Sequence, residues 1–295
     1  MRHEIQDENT CNVDLTKNEC LFPSIAQKIL KDVFIEPNDL IKYHSAYEVE
    51  NFLSEKLKSF VFSNNGSEQV IKQIIEILSK ECNEWVIPSP TFELVNFYCN
   101  HYDCKIYSPK YKYDELNDNF SLNFNDVPGD TKNQILYIVS PHNPTGITLS
   151  LNDIDVLCKK YKYLIIDEAY VYPDNPILIP RKNLIYIRTF SKMGGLTGLR
   201  FGFGICFDKQ LYKRIFQIRP MYINSFTLKC VNYILKNNIT DEVKNKIKIQ
   251  TQQLRDAYSC AGNFALFKNK THYNTYPLKK YSFNNHTFYR MTIHE

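Results

Sequence analysis

The chain has 295 residues, 43% of them hydrophobic, which is enough to bury a full core and build one large domain with a smaller one beside it. Its 36 basic and 32 acidic residues are interspersed and leave a formal net charge of +4, so charge gives no reason to expect a nucleic-acid partner. No apolar stretch approaches the roughly eighteen residues that a membrane span requires, and a soluble, cytoplasmic protein is expected.

The opening, MRHEIQDENT, is polar and mixed in charge. SFVFSNN (59–65) ends in a polar cluster at Gly66, and SEQVIKQIIEILSK (67–80) follows as a helix with one apolar stripe at 70, 71, 74, 75 and 78. Strand-like runs then recur: EWVIPSP (84–90), QILYIVSP (134–141), KYLIIDEAY (162–170), NLIYIRTF (183–190) and RFGFGICF (200–207). They are rich in β-branched and aromatic residues, several on consecutive positions, as strands buried on both faces are. SLNDIDVLCKKY (150–161) reads as a serine-capped helix between two of them. This alternation implies an α/β fold with a mostly parallel sheet. Beyond Phe207 the texture turns helical and polar (225–238 and 240–259), then strand-like in NFALFK (263–268) and FYRMTI (288–293), so a second, smaller domain is expected to start near residue 239.

Nine cysteines run from Cys11 to Cys260 with no CxxC pair and no zinc-like Cys/His spacing. They read as reduced, mostly packed thiols, and no metal site is expected.

In an open parallel sheet, ligands bind beyond the carboxyl ends of the strands, and four polar clusters fall at such ends. Gly66-Ser67-Glu68 opens a helix, whose unpaired N–H groups and partial positive charge suit a phosphate; taken alone, the segment reads better as a plain N-cap at Ser67. Asn143 follows one strand. Asp167 closes another, either as a solvated strand-end carboxylate or as a partly buried acid against a cation such as a protonated ring nitrogen. Lys192 stands in TFSKMGGLTGLR (189–200), and a buried lysine is costly unless its charge is removed or used. In the same segment Ser191 and Arg200 offer a hydroxyl and a guanidinium fork to a phosphate, while Gly194, Gly195 and Gly198 suit either a tight approach to a ligand or a simple loop. A phosphate anchor, an acid for a ring nitrogen and an amine for a Schiff base together suit pyridoxal 5′-phosphate.

LTKNE, NNGSEQVI, PSPTF, SPHNPTG, DEAY and TFSKMGGLTGLRFG occur in that order, and over about Leu15 to Ile293 the chain resembles the class I/II pyridoxal-phosphate-dependent aminotransferases of fold type I. It looks most like their histidinol-phosphate aminotransferase branch. The resemblance implies a large cofactor-binding domain over 40–238 and a small, abbreviated α+β domain built from 1–39, with its N-terminal arm, and 239–295. It makes Lys192 the Schiff-base lysine, Asp167 the partner of the pyridinium nitrogen, and Asn143 and Tyr170 the pair at the cofactor's phenolic oxygen. Phe92 matches the aromatic that stacks on the ring. Gly66, Ser67, Glu68, Thr189, Ser191 and Arg200 match the segments that hold the phosphate, joined by Tyr43 from a neighbouring subunit of a homodimer. Arg290, with Asn143, matches the grip on the substrate's α-carboxylate.

Departures from the pattern are Ser140 and His142 where asparagines are common, no proline after Asn18-Glu19, Glu68-Gln69 for Asp-Glu, and an end five residues after Arg290. The implied activity moves an amino group between an amino acid or amino-alcohol phosphate, such as histidinol phosphate, and a 2-oxo acid. For Lys192 to act as nucleophile and base near neutrality, its amine has to fall well below the usual value of about 10.4. The alternatives are a decarboxylase of a phosphorylated amino acid and a non-catalytic remnant of the same fold.

Overall fold

The structure is a computed structural model that describes residues 15–19, 22–124, 127–220, 222–254, 256–268 and 278–294. The polar opening with Cys11, the pair Cys20-Leu21 and Met221 of the segment before the 225–238 helix lie outside the described residues.

The chain begins with α1 (Pro23–Asp32), α2 (Pro37–Ile41) and α3 (Tyr47–Leu57), then β1 (Phe60–Asn64) and α4 (Ser67–Leu78). β2 (Glu84–Val86), α5 (Glu93–His101) and β3 (Lys105–Tyr107) follow, then a hairpin of β4 (Tyr111–Asp114) and β5 (Asn119–Leu122). The heart of the fold is β6 (Ile135–Val139), α6 (Leu151–Lys160), β7 (Tyr163–Asp167), β8 (Leu184–Thr189) and β9 (Gly202–Cys206). Then come α7 (Lys209–Phe216), α8 (Ser225–Lys236), α9 (Ile239–Gln253), β10 (Ser259–Ala261), β11 (Phe264–Phe267), β12 (Lys279–Phe283) and β13 (His286–Thr292).

Seven strands form one sheet in the order β1-β9-β8-β7-β6-β2-β3. All neighbours are parallel except β9, which runs antiparallel to both β1 and β8. Because β9 is reversed, its beginning lies at the edge where the other strands end. Every residue of β6, β8 and β9 is buried, as the uninterrupted apolar runs imply for strands covered on both faces.

One cover consists of α4, α5 and α7, the other of α1, α3, α6, α8 and α9. α4 buries Val70, Ile71, Ile74, Ile75 and Leu78, the stripe read from its periodicity, together with Gln73. α6 opens on a capping box: Ser150 Oγ accepts the Asp153 N–H at 3.1 Å, and Asp153 Oδ2 accepts the Ser150 N–H at 2.9 Å.

A second, antiparallel sheet of order β10-β11-β13-β12 carries Arg290. The β4–β5 hairpin packs on it through Tyr111, Tyr113, Leu266, Phe283 and Phe288. Among the described residues Cys82, Cys99, Cys104, Cys158, Cys206 and Cys230 are buried free thiols and Cys260 an exposed one. No helix among these residues is long and apolar enough to cross a membrane.

One buried ion pair locks the loop that leaves β7. Arg188 is fully buried on β8, its Nε donates to Glu168 Oε2 at 2.7 Å, and its Nη1 donates to Pro173 O at 3.2 Å and to Asn175 O. Burial pushes the Glu168 carboxyl up, and the Arg188 charge opposes that shift. Removing the acid strands a guanidinium with no water to solvate it. Glu168→Ala is expected to lower the unfolding free energy by about 3 kcal/mol, read from denaturant melts. A loss below about 0.5 kcal/mol would mean the pair is not holding the loop.

Candidate active site

One end of the site is built from two chain segments that nearly touch. Gly66, at φ +84°, is the N-cap of α4, and no side chain caps the helix. Ser67 is therefore the first helical residue rather than its cap, which corrects the simpler reading of that serine. The first-turn amides keep the helix's partial positive charge with no side-chain acceptor. A Cβ on Gly202 would stand 2.2 Å from Ser67 N, so only glycine lets β9 approach the helix start this closely.

A Cβ on Gly66 would stand 2.7 Å from Arg200 Nη2, which puts that guanidinium beside the same amides. Arg200 adopts φ +52°, and its Nη1 donates to Ser191 Oγ and to Thr197 O, each at 3.3 Å. Ser191 is held from behind, its N–H donating to Thr189 Oγ1 at 3.1 Å while the Thr189 hydroxyl donates to Phe201 O at 3.0 Å.

The other end is a chain of polar contacts among residues far apart in sequence. Asn143 Nδ2 and Asn18 Nδ2 both donate to Tyr170 Oη, the latter at 3.1 Å. Lys192 Nζ donates to the Asn18 carbonyl and Arg290 Nη2 to the Thr16 carbonyl, so one short segment takes a hydrogen bond from each cation. Arg290 Nη1 also donates to Asn143 Oδ1 at 3.4 Å, and Arg290 Nε is buried without a hydrogen-bond partner. Burial pushes the Tyr170 hydroxyl up, opposed by the Asn143 hydrogen bond and the Arg290 charge. Asp167 is 4% exposed; burial raises its pKa, while hydrogen bonds from Tyr137 and the Ala169 N–H oppose the rise.

Two expected residues stand apart from this network. Tyr43 is 83% exposed and stacks on Tyr222, ring centroids 4.6 Å apart. Phe92 is 45% exposed at the N-cap of α5. Glu68 accepts the Tyr98 hydroxyl at 3.0 Å.

Asn18 and Tyr137 were given no role by sequence reasoning. Asn18 lies in LTKNE, which aligned with the family pattern, and only the fold shows it against Tyr170 and Lys192. His142, noted as a departure, ties two loops together. Its Nε2 lies 2.8 Å from Pro90 O, which only accepts, so the ring donates there and its Nδ1 accepts from Thr145 Oγ1 at 2.8 Å. The ring stacks on Tyr111 with centroids 3.7 Å apart.

Residues 12–295 match the family described as aminotransferase class I and II. The chain belongs to this family. The histidinol-phosphate aminotransferase of Pyrococcus furiosus is 27% identical over 281 residues, 88% of this chain and 80% of that protein. The histidinol-phosphate aminotransferases of Methanocaldococcus jannaschii and Methanococcus aeolicus are each 28% identical over 215 residues, 68% of this chain and 56% of their own length. Among solved structures, the histidinol-phosphate aminotransferase of Sinorhizobium meliloti in complex with pyridoxal 5′-phosphate superposes with a TM-score of 0.76 at 18% identity, covering 96% of this chain and 86% of that one. The L-threonine-O-3-phosphate decarboxylase of Porphyromonas gingivalis gives 0.65 at 17%, covering 97% and 93%.

Pyridoxal 5′-phosphate is thus the cofactor of this aminotransferase. The residues fit it: a glycine-lined cradle of helix amides beside a guanidinium, a buried acid, an amine, and a guanidinium edge with an unpartnered N–H.

Two expectations follow for the aminotransferase. Gly202→Ala should weaken cofactor binding about tenfold or more in an absorbance titration, because β9 and the α4 start must separate. Gly198→Ala, which meets nothing within 4 Å, should leave binding unchanged, and equal effects of the two would sink the cradle. The second concerns His142, whose burial brings its pKa down from 6.5 to about 4. The folded state then binds fewer protons than the unfolded one between those values, so stability falls as pH drops from 6.5 toward 4. His142→Asn should be less stable at pH 7 and lose less across that window; parallel melting curves would show that another group titrates.

Proposed function

We propose that the aminotransferase moves an amino group from an amino acid or an amino-alcohol phosphate of the histidinol-phosphate type to a 2-oxo acid, with Lys192 as the amine that holds the cofactor. The observation that carries this reading is the polar chain Lys192–Asn18–Tyr170–Asn143–Arg290, which connects an amine, a phenol, two asparagines and a guanidinium from distant stretches of the sequence. The identity of the curated relatives supports the substrate class.

When bound, the cofactor supplies an aldehyde carbon and an electron-withdrawing ring that accepts the electron pair left on the substrate's α-carbon. The protein's residues do the rest. Gly66, Ser67 and Glu68 offer amides to the phosphate, with Thr189 holding Ser191 in place and Ser191 and Arg200 adding a hydroxyl and a charge. Asp167 keeps a proton on the ring nitrogen, and Asn143 and Tyr170 orient the ring through its phenolic oxygen. Phe92 covers a ring face.

Arg290 binds the α-carboxylate through the edge that its unpartnered Nε leaves available, and Asn143 fixes the guanidinium plane. The Lys192 amine would take up at Nζ the proton that leaves the substrate's α-carbon. Tyr43 lies outside this network and reaches the phosphate of a second copy, so the active form is a homodimer.

A decarboxylase of a phosphorylated amino acid is the second reading, favoured by the fold shared with the Porphyromonas enzyme. Borohydride treatment of the holoprotein should fix the cofactor's mass on the peptide containing Lys192, and Lys192→Ala should abolish both the adduct and amino transfer. A panel of plain amino acids and phosphorylated amino alcohols should yield oxo products with the phosphorylated donors fastest. Carbon dioxide without an oxo product would replace amino transfer by the second reading.

A further inference from the structure

Asp167 lies on the face of the sheet covered by α4 and α5. β7 alternates, so Ile165 and Asp167 share that face while Leu164 and Ile166 point the other way. On β6, Val139 pairs with Asp167 and Tyr137 with Ile165, so Tyr137 sits one register step below the acid on the same face. Tyr137 is 1% exposed, and its O–H donates to Asp167 Oδ2 at 2.5 Å. The Ala169 N–H donates to Oδ1 at 2.9 Å, so each carboxylate oxygen has a donor.

The groups facing Asp167 are Tyr137 from β6, Cys99 from α5 beyond Tyr137, and Tyr170 from the loop after β7; Glu168, next in the chain, turns to the other face and meets Arg188. Burial raises the Tyr137 and Tyr170 hydroxyls and the Cys99 thiol, so all three remain neutral, and Arg188 is committed to Glu168.

We propose that Tyr137 is a positioning residue for this site: its buried O–H holds Asp167 as an oriented carboxylate, ready to keep the proton on a heteroaromatic ring nitrogen. The role of Asp167 rests on the function proposed above; the Tyr137–Asp167 bond itself does not. An O–H donor favours the charged form of the acid and costs the neutral form nothing comparable, so the bond matters more as pH rises past the carboxyl's own titration.

Tyr137→Phe removes one oxygen and leaves the ring that fills the core. In the protein without cofactor, burial already raises the folded pKa of Asp167, and loss of the donor raises it further. The variant should therefore fall less far below wild type near pH 4, about the acid's ordinary range, than at pH 8, where the acid would have to ionise unaided. In an Asp167→Asn background the same substitution should cost the same at both pH values.

In the holoprotein, Tyr137→Phe should slow the first half-reaction about tenfold, leave the dissociation constant of the amino donor unchanged, and move the acid limb of the rate profile to higher pH. A stability loss independent of pH, or an acid limb that stays in place, would reduce Tyr137 to packing and overturn the proposal. Wild type that binds cofactor but performs no half-reaction would refute the proposed function instead, and the cofactor-free pH series would still decide on Tyr137.

Discussion

Both faces of the central sheet are sealed by helices, and that seal decides where this protein can do chemistry. Water does not reach β6, β8 or β9, so any polar group on their faces has to be satisfied where it stands. What needs a ligand is pushed to the edge where the strands end. There the reversed direction of β9 is decisive, because it delivers Gly202 and Arg200 to the same edge as Asn143, Asp167 and Lys192. A sheet with β9 parallel would send that arginine to the opposite end of the molecule.

Asp167 and Glu168 show how one residue step changes an acid's fate. They are neighbours in the chain, but the pleat sends them to opposite sides of the sheet. Glu168 meets Arg188, which lies on the face of Leu184 and Tyr186, and becomes half of a buried ion pair. Asp167 meets a phenol and an amide, neutral donors that stabilise its charge without cancelling it. The first arrangement balances its charge within the protein; the second keeps an electrostatic demand that a cationic ring nitrogen can meet.

Much of this was legible in the sequence. Consecutive apolar residues in YIV, LII and LIYI announce strands covered on both sides, and the stripe of SEQVIKQIIEIL fixes which face of α4 is buried. Lys192, Asp167 and Asn143 stood out as polar residues at the ends of apolar strand runs, whereas Arg290 stood out only through the family resemblance. The hairpin β4–β5 was not legible, since Tyr111 and Tyr113 pack on Leu266, Phe283 and Phe288, which arrive far later in the chain. α7 was also unread: only Leu211 and Ile215 of its eight residues are fully buried, too few to set a pattern. Tyr137 and Asn18 escaped for a third reason. Their roles come from strand register and from a contact spanning 152 positions, and neither leaves a local mark.

The segment Leu15–Glu19 is also stitched to the far end of the chain: Thr292 donates to the Leu15 carbonyl, and Arg290 to that of Thr16, across 274 positions. On a ribosome, which releases the chain from its beginning, the large sheet is complete once β9 has emerged, while Arg290 still waits for β13. Until that strand is laid down, the early segment can meet Lys192 and Tyr170 through Asn18 but lacks its partners Arg290 and Thr292. A nascent chain stalled between the two would thus carry the glycine-lined start of α4 beside Arg200 while its first described residues still lacked part of their anchorage.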